Sequence, residues 1–547
     1  MVGNMKGLYI SLLCASMLPL GAFSQNDGNL PSRSMTIEGV YNANVTDADK
    51  IMSSPERPKV ETASHKTEYN TSSQPYYGYA RDASAAPTAD QGDESRVSGI
   101  AEVGYGVKGD LVLLGDVRVK SGQNSLFKAT LNGNGWNAET EDDWRSKFYD
   151  FGLDLGYSYN PGQFKLDVNG NFGYGYNNFR RDPLCHTDLD LNRNVVLGGL
   201  NAAVTSLNTG SLTYTAMVGW DMFLDDRCDW KYNKGSENIV RLKGDMRYAF
   251  DDRFTAAADI SLKISLYNCR PTQALFAYDN YTSFSFTPKV MFNIDDVDVT
   301  AGVNMLLRTT ASPVARFAPY IKADYRFTDN IKAFAQVTGG TDEYGMKQLR
   351  EMTPYWINNT QIFDGYTPVD ALLGVRLNTS FGLELSLQGG YRKYFDKVFQ
   401  IFAQPGMFAS SLVQYDADLG HVDLAARYSY SDRIKAYASI DYNSWSTDAP
   451  SGIVLEMVPE LNIKVGGELK VLDRLTGNLD FHYSMMNKYE GRRLPYIANL
   501  DIALKYALLS NLDISLKGTS LLCHRYYRYA GYRDNGSSVV ASVLYRF

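Results

Sequence analysis

Apolar and polar residues alternate one by one over long stretches of this chain, and short turns join the stretches in pairs. In residues 151–159, Phe, Leu, Leu, Tyr and Tyr occupy one parity, while Gly, Asp, Gly and Ser occupy the other. Residues 160–163 (Asn-Pro-Gly-Gln) form a turn signal, and residues 164–176 then repeat the alternation. Because successive side chains of a strand point to opposite faces, this pattern predicts a long β-hairpin with one apolar and one polar face.

The hairpin pattern recurs along the chain. Further strand pairs meet at residues 251–253, 328–330, 431–433 and 473–474, whereas the opposite connections are long, as at 178–191 and 339–366. A soluble β-sandwich or β-solenoid, the alternative, rarely has strands of this length in strict hairpins. The sequence therefore predicts an all-β fold, a transmembrane antiparallel up-and-down β-barrel with short periplasmic turns and long extracellular loops.

Strand starts counted over residues 97–547, among them Phe254, Val297 and Leu419, predict a barrel of about 22 strands. An even number places both barrel termini in the periplasm. The last strand, residues 539–547, alternates and ends in Phe547, which resembles the C-terminal signature of outer-membrane barrels. Aromatic residues of the outward parity collect near the short turns, where a girdle in contact with outer-membrane lipid is expected. They are Tyr157, Tyr159, Phe164, Tyr248, Phe250, Phe254, Tyr325, Phe327, Tyr428 and Tyr430.

The N-terminus predicts export. Lys6 precedes an apolar run at residues 7–21, and Ala22 and Ser24 are the small residues that a signal peptidase reads, so residues 1–24 are predicted to be a signal peptide. After it there is no run of 18 apolar residues, and hence no predicted membrane helix. The predicted location is the cell outer membrane.

Residues 25–96 differ in kind from the barrel. They contain five prolines and one short apolar patch, which consists of Met35, Thr36, Ile37, Glu38, Val40 and Tyr41 around Gly39. We expect an extended periplasmic arm that enters the barrel mouth as a short plug. The patch has two readings, a solvated part of the arm or a contact segment that adds to the sheet edge of an energy-transducing partner.

Three stretches carry a family resemblance: the arm from Met35 to Ile51, residues 319–327 (PYIKADYRF) and residues 349–355 (LREMTPY). On these stretches the chain resembles the TonB-dependent receptor-like outer-membrane β-barrels, and the resemblance covers most of residues 35–547. It implies uptake of a solute and a partner such as a TonB-like periplasmic protein or a surface lipoprotein. The chain departs from ordinary receptors because the 72 residues from 25 to 96 are too few for a full-length folded plug domain and a linker.

Charges of both signs fall on the parity that faces the lumen. They are Arg241, Lys243, Asp245, Arg247, Asp259, Lys263, Glu460, Lys464, Glu468 and Lys470. This mixture predicts no strong ion selectivity. The formal net charge of −7 argues against nucleic acid as a partner.

The sequence contains no motif for covalent chemistry. A glycine-rich phosphate loop and a paired-histidine metal motif are both missing, and the five histidines are scattered. We therefore predict that the chain is not an enzyme and needs no cofactor. Aromatic residues in the expected external loops, such as Trp356 in residues 340–363, suit carbohydrate or protein partners but are also ordinary for barrel rims.

Four cysteines remain after the signal peptide, all in predicted long loops: Cys185, Cys228, Cys269 and Cys523. An oxidising export route and an even number favour two disulfides, with three possible pairings. Free thiols are a second reading. Metal binding through the neighbouring pairs Cys185–His186 and Cys523–His524 is a third.

Two functions remain open at this stage. The first is an outer-membrane barrel of TonB-dependent receptor type that mediates uptake or passage of a solute whose identity the sequence does not indicate. The alternative is a non-transporting structural or assembly component of an outer-membrane protein complex.

Overall fold

The computed structural model describes residues 97–547 except 140–143, 181–191, 208–209, 227–234, 270–277, 310–313, 357–359, 403–409, 432, 452, 487, 490–491, 494 and 525. The predicted signal peptide, the arm and its patch from Met35 to Tyr41 lie outside the described residues. So do Cys185 and Cys228.

Twenty-two antiparallel strands form one closed barrel. Each strand pairs with its neighbours in sequence, and β1 pairs with β22 to close the ring, with Val103 opposite Val543. The strands are β1 Val97–Gly106, β2 Leu111–Ser121, β3 Ser125–Glu139, β4 Arg145–Tyr159, β5 Phe164–Asn178, β6 Asn192–Ser206, β7 Leu212–Asp225, β8 Gly235–Ala249, β9 Phe254–Asn268, β10 Tyr281–Ile294, β11 Val297–Thr309, β12 Val314–Thr328, β13 Ile331–Asp342, β14 Gly365–Asn378, β15 Leu383–Phe402, β16 Ser410–Tyr430, β17 Ile434–Thr447, β18 Pro459–Leu472, β19 Leu475–Met486, β20 Ile497–Leu509, β21 Leu512–Thr519 and β22 Ser538–Arg546.

The two rims differ as the sequence predicted. At one rim the connections have two to five residues, whereas at the other they reach 22 residues, from 343 to 364. Asp251 shows why its turn forms, because its Oδ1 accepts hydrogen bonds from the backbone N of Arg253 and of Phe254 at 2.8 and 2.7 Å. The first strand begins and the last strand ends at the short-turn rim, where Phe547 N donates to Gly99 O at 3.0 Å. The predicted fold class and number of strands are confirmed.

One strand start was misplaced. The alternation predicted that β16 begins near Leu419, whereas it begins at Ser410. The strands β15 and β16 run past the rim, with a bulge between Tyr394 and Lys397. Beyond the bulge their side chains pack against other loops, and Leu412 is only 3% exposed. In residues 410–418, side chains therefore do not alternate between facing lipid and facing the lumen, which is the pattern on which the predicted strand start depended.

The outward face carries the apolar belt. Side chains such as Leu153, Val218 and Leu373 are exposed on the outside. Seven of the ten girdle aromatics are exposed near the short-turn rim, and Tyr159, Phe254 and Tyr428 are half-buried. Neighbouring rings contact one another, as with Tyr325 and Phe327, whose ring centroids are 4.4 Å apart. This arrangement suits an outer-membrane lipid environment and agrees with the predicted girdle.

Among the described residues, no helix has both the length and the hydrophobicity that crossing a bilayer requires.

Candidate functional site

The longest connection folds into the barrel. Residues 343–364, here called the lumenal loop, join β13 to β14 and contain the short helix α1, Met346–Met352. We expected this segment to be an external loop, but Met346, Leu349 and Trp356 are only 2%, 4% and 1% exposed. The prediction of an external loop was wrong, because these apolar side chains are buried against the inner wall of the barrel and are not exposed to solvent.

The C-terminal end of the lumenal loop is tied to the wall by a buried ion pair. Lys263 Nζ on β9 donates to Asp364 Oδ1 at 2.7 Å and to Oδ2 at 2.9 Å, and the two side chains are 2% and 1% exposed. Asp364 Oδ1 also accepts from Tyr344 N at 2.6 Å, while Arg308 Nη1 donates to Asp364 O at 2.6 Å. Asp364 thus joins both ends of the loop to β9 and β11.

The start of α1 is held by a carboxylate from the wall. Glu237 Oε2 on β8 accepts a hydrogen bond from Met346 N at 2.7 Å, and Gln348 Oε1 accepts from Gly345 N at 3.0 Å. A helix start has unpaired N–H groups and a partial positive charge, so a carboxylate there is favourable. Nearby, Arg241 Nε is 3.3 Å from Glu343 Oε2.

The end of α1 reaches a distant part of the wall. Arg350 Nη2 donates to Asp150 Oδ1 on β4 at 2.6 Å. Gly175 on β5 makes this approach possible, because a Cβ atom there would lie 2.1 Å from Arg350 Nη2.

Arg193 on β6 supports the segment after the helix. Its Nη1 donates to Pro354 O at 3.2 Å and to Trp356 O at 2.7 Å, and its Nε is 3.2 Å from Asp225 Oδ1. The guanidinium also lies over the Trp356 ring, 5.3 Å from its centroid. Arg193 is only 2% exposed. Its charge is balanced by Asp225, and its Nη1 donates to the loop backbone, so the buried cation is compensated while it holds the loop.

Two further elements meet the lumenal loop. One is the tip of β15 and β16, residues 397–402 and 410–416. The other is the terminal loop, residues 520–537, which joins β21 to β22 and contains a small hairpin with the strands Tyr527–Tyr529 and Tyr532–Arg533. Ser410 N donates to Tyr355 O at 3.0 Å, and Ser410 Oγ donates to Ala530 O at 2.9 Å.

Stacked tyrosines lie where the three elements meet. The rings of Tyr355 and Tyr532 are nearly parallel with centroids 3.6 Å apart, and Tyr529 and Phe179 contact Tyr355 edge-on. Burial raises the pKa of both Tyr355 and Tyr532 above the usual range, so both rings are neutral at physiological pH. We call this meeting point of the three elements the junction.

The junction bridges opposite walls of the barrel. Arg350 contacts β4, whereas Gln400 Nε2 on β15 donates to Met352 O at 3.0 Å. The strands β4 and β15 are eleven positions apart in a ring of 22, which places them across the lumen from each other. The contacts all lie toward the long-loop rim. The arrangement therefore narrows the barrel at that end.

The cysteine predictions have mixed outcomes. Cys269 is disulfide-bonded, and its partner lies outside the described residues. Cys523 carries an exposed free thiol, 3.6 Å from Leu521 O and 3.7 Å from Ser537 Oγ. The disulfide that the sequence favoured at Cys523 is therefore not formed in this structure. Across the described ranges, no group of three or more His, Cys, Asp or Glu residues is placed to hold a metal ion.

Sequence reasoning noticed Lys263 but missed its partner Asp364, as well as Glu237, Arg193 and Arg350. A signal for the inward fold was present, since Met346, Leu349 and Met352 are spaced as on one face of a helix. An apolar helical face in a loop must be buried against something, and the inner wall is its partner.

The barrel resembles solved receptors in fold. The siderophore receptor PirA from Acinetobacter baumannii has 11% sequence identity and a TM-score of 0.65, with 84% of this chain and 81% of that chain covered. The FrpB iron transporter from Neisseria meningitidis has 10% identity, a TM-score of 0.64 and coverage of 83% and 82%. The copper transporter OprC has 11% identity, a TM-score of 0.60 and coverage of 83% and 81%.

No protein family and no curated protein matches the chain in sequence. The likeness to these solved structures shows the fold, a closed antiparallel barrel of 22 strands.

Proposed function

We propose that this protein mediates the uptake or passage of a solute across the outer membrane and performs no covalent chemistry. The observation that carries the proposal is the junction. A barrel of 22 strands has a lumen wide enough to pass large solutes unless something blocks it. Here the loops that narrow the long-loop rim are held by side-chain contacts, which can separate without breaking the barrel.

The inner wall suits a hydrated path. Asp370 and Arg392 form an ion pair at 2.6 Å on neighbouring strands, and Gln388 Nε2 donates to Asp423 Oδ2 at 2.9 Å. Such polar side chains of both signs fit a water-filled passage without strong charge selectivity. The solved structures that share the fold are receptors or transporters for siderophores, iron and copper, which supports transport as the class of function.

We further propose that the arm, residues 25–96, acts from the periplasm, where both barrel termini lie. Its patch from Met35 to Tyr41 is the contact for a TonB-like periplasmic protein, by addition of a strand to the partner's sheet. The support is the apolar patch in an otherwise polar segment and the position of Val97 at the short-turn rim. A surface lipoprotein is the partner expected at the long-loop rim.

The second candidate is a non-transporting component of an outer-membrane complex. The buried ion pairs between the lumenal loop and the wall, such as Lys263 with Asp364, favour this second candidate, because they oppose the loop movement that an opening would need. Stable co-purification with other envelope proteins and a sealed lumen are its expected signs.

Single-channel conductance in a planar bilayer separates the two candidates. The intact protein is compared with a variant that lacks residues 25–96, each expressed with its signal peptide and shown to be folded by heat-modifiable migration. Transport predicts rare openings of the intact barrel and more frequent openings after the deletion. Absence of conductance from both folded forms contradicts transport and leaves the non-transporting component of an outer-membrane complex.

A further inference from the structure

We propose that Arg326, Lys332 and Arg376, here called the basic row, bind a carboxylate or phosphate group of the solute where it leaves the lumen. The basic row lies at the short-turn rim, on the neighbouring strands β12, β13 and β14. This inference deepens the proposed function by naming an anionic solute, and it rests on that function where passage and orientation are concerned. Anion binding itself can be measured without transport.

The three side chains stand side by side across three strands. Arg326 lies directly opposite Lys332, and Lys332 lies directly opposite Arg376. Their neighbours in sequence face outward, as with Tyr325 at 43% and Val375 at 45% exposed, so alternation turns the basic row into the lumen. Like charges directly opposite each other destabilise a pair of strands. The basic row is therefore unfavourable by itself, and an anion placed against it removes the repulsion.

Other cations at the same rim have carboxylate partners. Lys165 Nζ on β5 lies 2.9 Å from Asp167 Oδ2. Lys435 Nζ on β17 lies 3.5 Å from Glu468 Oε1 on β18. Within the described residues, no member of the basic row forms an ion pair. The basic row thus keeps positive charge that a ligand can use.

Two acidic residues flank the basic row without neutralising it. Asp324, two residues before Arg326, lies opposite Phe334, and Glu384 lies opposite Asn378. Both acids are diagonal to the basic row, where positions are about 7–8 Å apart, and in water two charges at this separation attract each other weakly. The basic row is a local site on one side of a wide lumen, so it does not make the passage selective for small ions.

The guanidinium of Arg376 is held in place by an aromatic ring. It lies over the ring of Phe334, 4.5 Å from the centroid. Gly374 leaves the space for this ring, since a Cβ atom there would overlap it. A cation–π contact fixes the plane of the guanidinium, while its N–H groups can still donate to an oxyanion. Arg326 and Lys332 are exposed beside it, so the basic row presents three cations to one ligand.

The position of the basic row favours a solute over the acidic end of the arm. The arm joins the barrel at Val97 on β1, which is eleven positions from β12 in the ring of 22. The acids nearest to β1 are Asp90, Asp93 and Glu94, and seven extended residues from Asp90 to Val97 span no more than about 25 Å. Strands about 4.8 Å apart and tilted by about 40° give a barrel of this size a width of about 44 Å. These acids therefore do not reach the basic row.

Reductive methylation of Lys332 tests the site. The purified barrel is methylated in detergent micelles with and without millimolar inorganic pyrophosphate at matched ionic strength, and peptide mass spectrometry follows each lysine. We expect pyrophosphate to slow methylation of Lys332 about threefold and to leave Lys165 and Lys435, whose amines are ion-paired, unchanged. Equal slowing of all three lysines, or of none, overturns the site.

Substitution of the neighbouring arginines locates the effect. Arg326→Gln with Arg376→Gln removes two of the three charges and should abolish the protection of Lys332. The matched control is Arg118→Gln, since Arg118 lies at the same rim but is paired with Asp116 at 3.0 Å, and it should retain the protection. Should the double variant lack heat-modifiable migration, Arg326→Gln alone, at an exposed position, takes its place and should weaken the protection. Full protection in the folded variant contradicts binding by the basic row.

Deletion of residues 25–96 separates the sources of the anionic group. Methylation of Lys332 without pyrophosphate should be as fast in the deletion variant as in the full chain, and pyrophosphate should protect both. If Lys332 reacts slowly in the full chain and rapidly after the deletion, arm carboxylates occupy the basic row and the assignment to a solute is overturned.

The same forms distinguish the anion site from the proposed function. If pyrophosphate protects Lys332 but neither the full chain nor the deletion variant conducts in a planar bilayer, the anion site is retained and solute passage is contradicted. Conductance without protection of Lys332 overturns the anion site alone.

Discussion

Lys263, on the inner wall, and Asp364, at the end of the lumenal loop, form an ion pair of 2.7 Å in which neither side chain is more than 2% exposed. The pair joins a strand to a loop 101 residues further along the chain. Since removing one partner leaves a buried charge without compensation, the pair sets how firmly the loop stays inside the barrel.

The first prediction concerns this pair. Asp364→Ala should lower the free energy of unfolding by about 3–5 kcal/mol, measured by urea titration of the barrel in lipid vesicles. Replacing both residues, as Lys263→Met with Asp364→Leu, should recover most of the loss. The control is Glu468→Ala in the more exposed pair Lys435–Glu468, 3.5 Å apart, with an expected loss below about 1 kcal/mol. Equal losses from the buried and the exposed pair would contradict the anchoring role of Lys263–Asp364.

The second prediction concerns Gly175. A Val side chain there occupies the space of Arg350 Nη2 and should break the bond between Arg350 and Asp150. We expect faster hydrogen exchange in residues 346–353 and little change in β9. The matched variant Gly420→Ala places its Cβ where no other atom lies within 4 Å, and its exchange should equal that of the wild type. Unchanged exchange in Gly175→Val would show that Arg350 does not hold α1.

The third prediction tests the membrane belt. Leu373 is 66% exposed in the middle of β14, and Leu373→Arg should cost about 2–4 kcal/mol of barrel stability because a charge then faces the lipid. The control Leu522→Arg lies in the terminal loop, where the side chain is 46% exposed beyond the strands, and should be nearly neutral. Refolding titrations into lipid vesicles measure both. A neutral Leu373→Arg would argue that this face does not contact lipid.

The fourth prediction tests orientation through Cys523. Its thiol is exposed in the terminal loop, so a membrane-impermeant maleimide added to intact cells should modify it, and peptide mapping should locate the label. Cys523→Ser removes that label. Cys269, being disulfide-bonded, should be alkylated only after reduction and unfolding. Labelling of Cys523 only after cell lysis would place the long-loop rim in the periplasm and reverse the proposed orientation.

The fifth prediction concerns the arm. Deleting residues 35–41 should abolish energy-dependent solute uptake while leaving the heat-modifiable barrel intact, because the strand that the partner pairs with is lost. Deleting an equal length of polar arm, residues 68–74, is the matched control and should retain uptake. Full uptake without residues 35–41 would remove the energy-transducing role from this patch.

The sequence by itself determined the barrel. Period-two alternation, short turns and girdle aromatics are patterns that lie within the sequence of each hairpin, so strand starts such as Phe254 and Val297 were predicted at the observed residues. The same pattern placed Lys263 and Asp245 on the lumen side, where both are buried. In these respects, local rules agree with the final fold.

Only the tertiary structure decided what the long loops do. Asp364 meets Lys263, and Tyr532 meets Tyr355, because the closed ring brings distant strands around one space that the loops can enter. The spacing of Met346, Leu349 and Met352 indicates an apolar face that must be buried, but it does not indicate the partners. These lie on other strands of the barrel, as with Val195, Phe223 and Leu412. Burial against the opposite wall, which exists only after the barrel closes, supplies the free energy that turns an expected external loop into the wall of the junction.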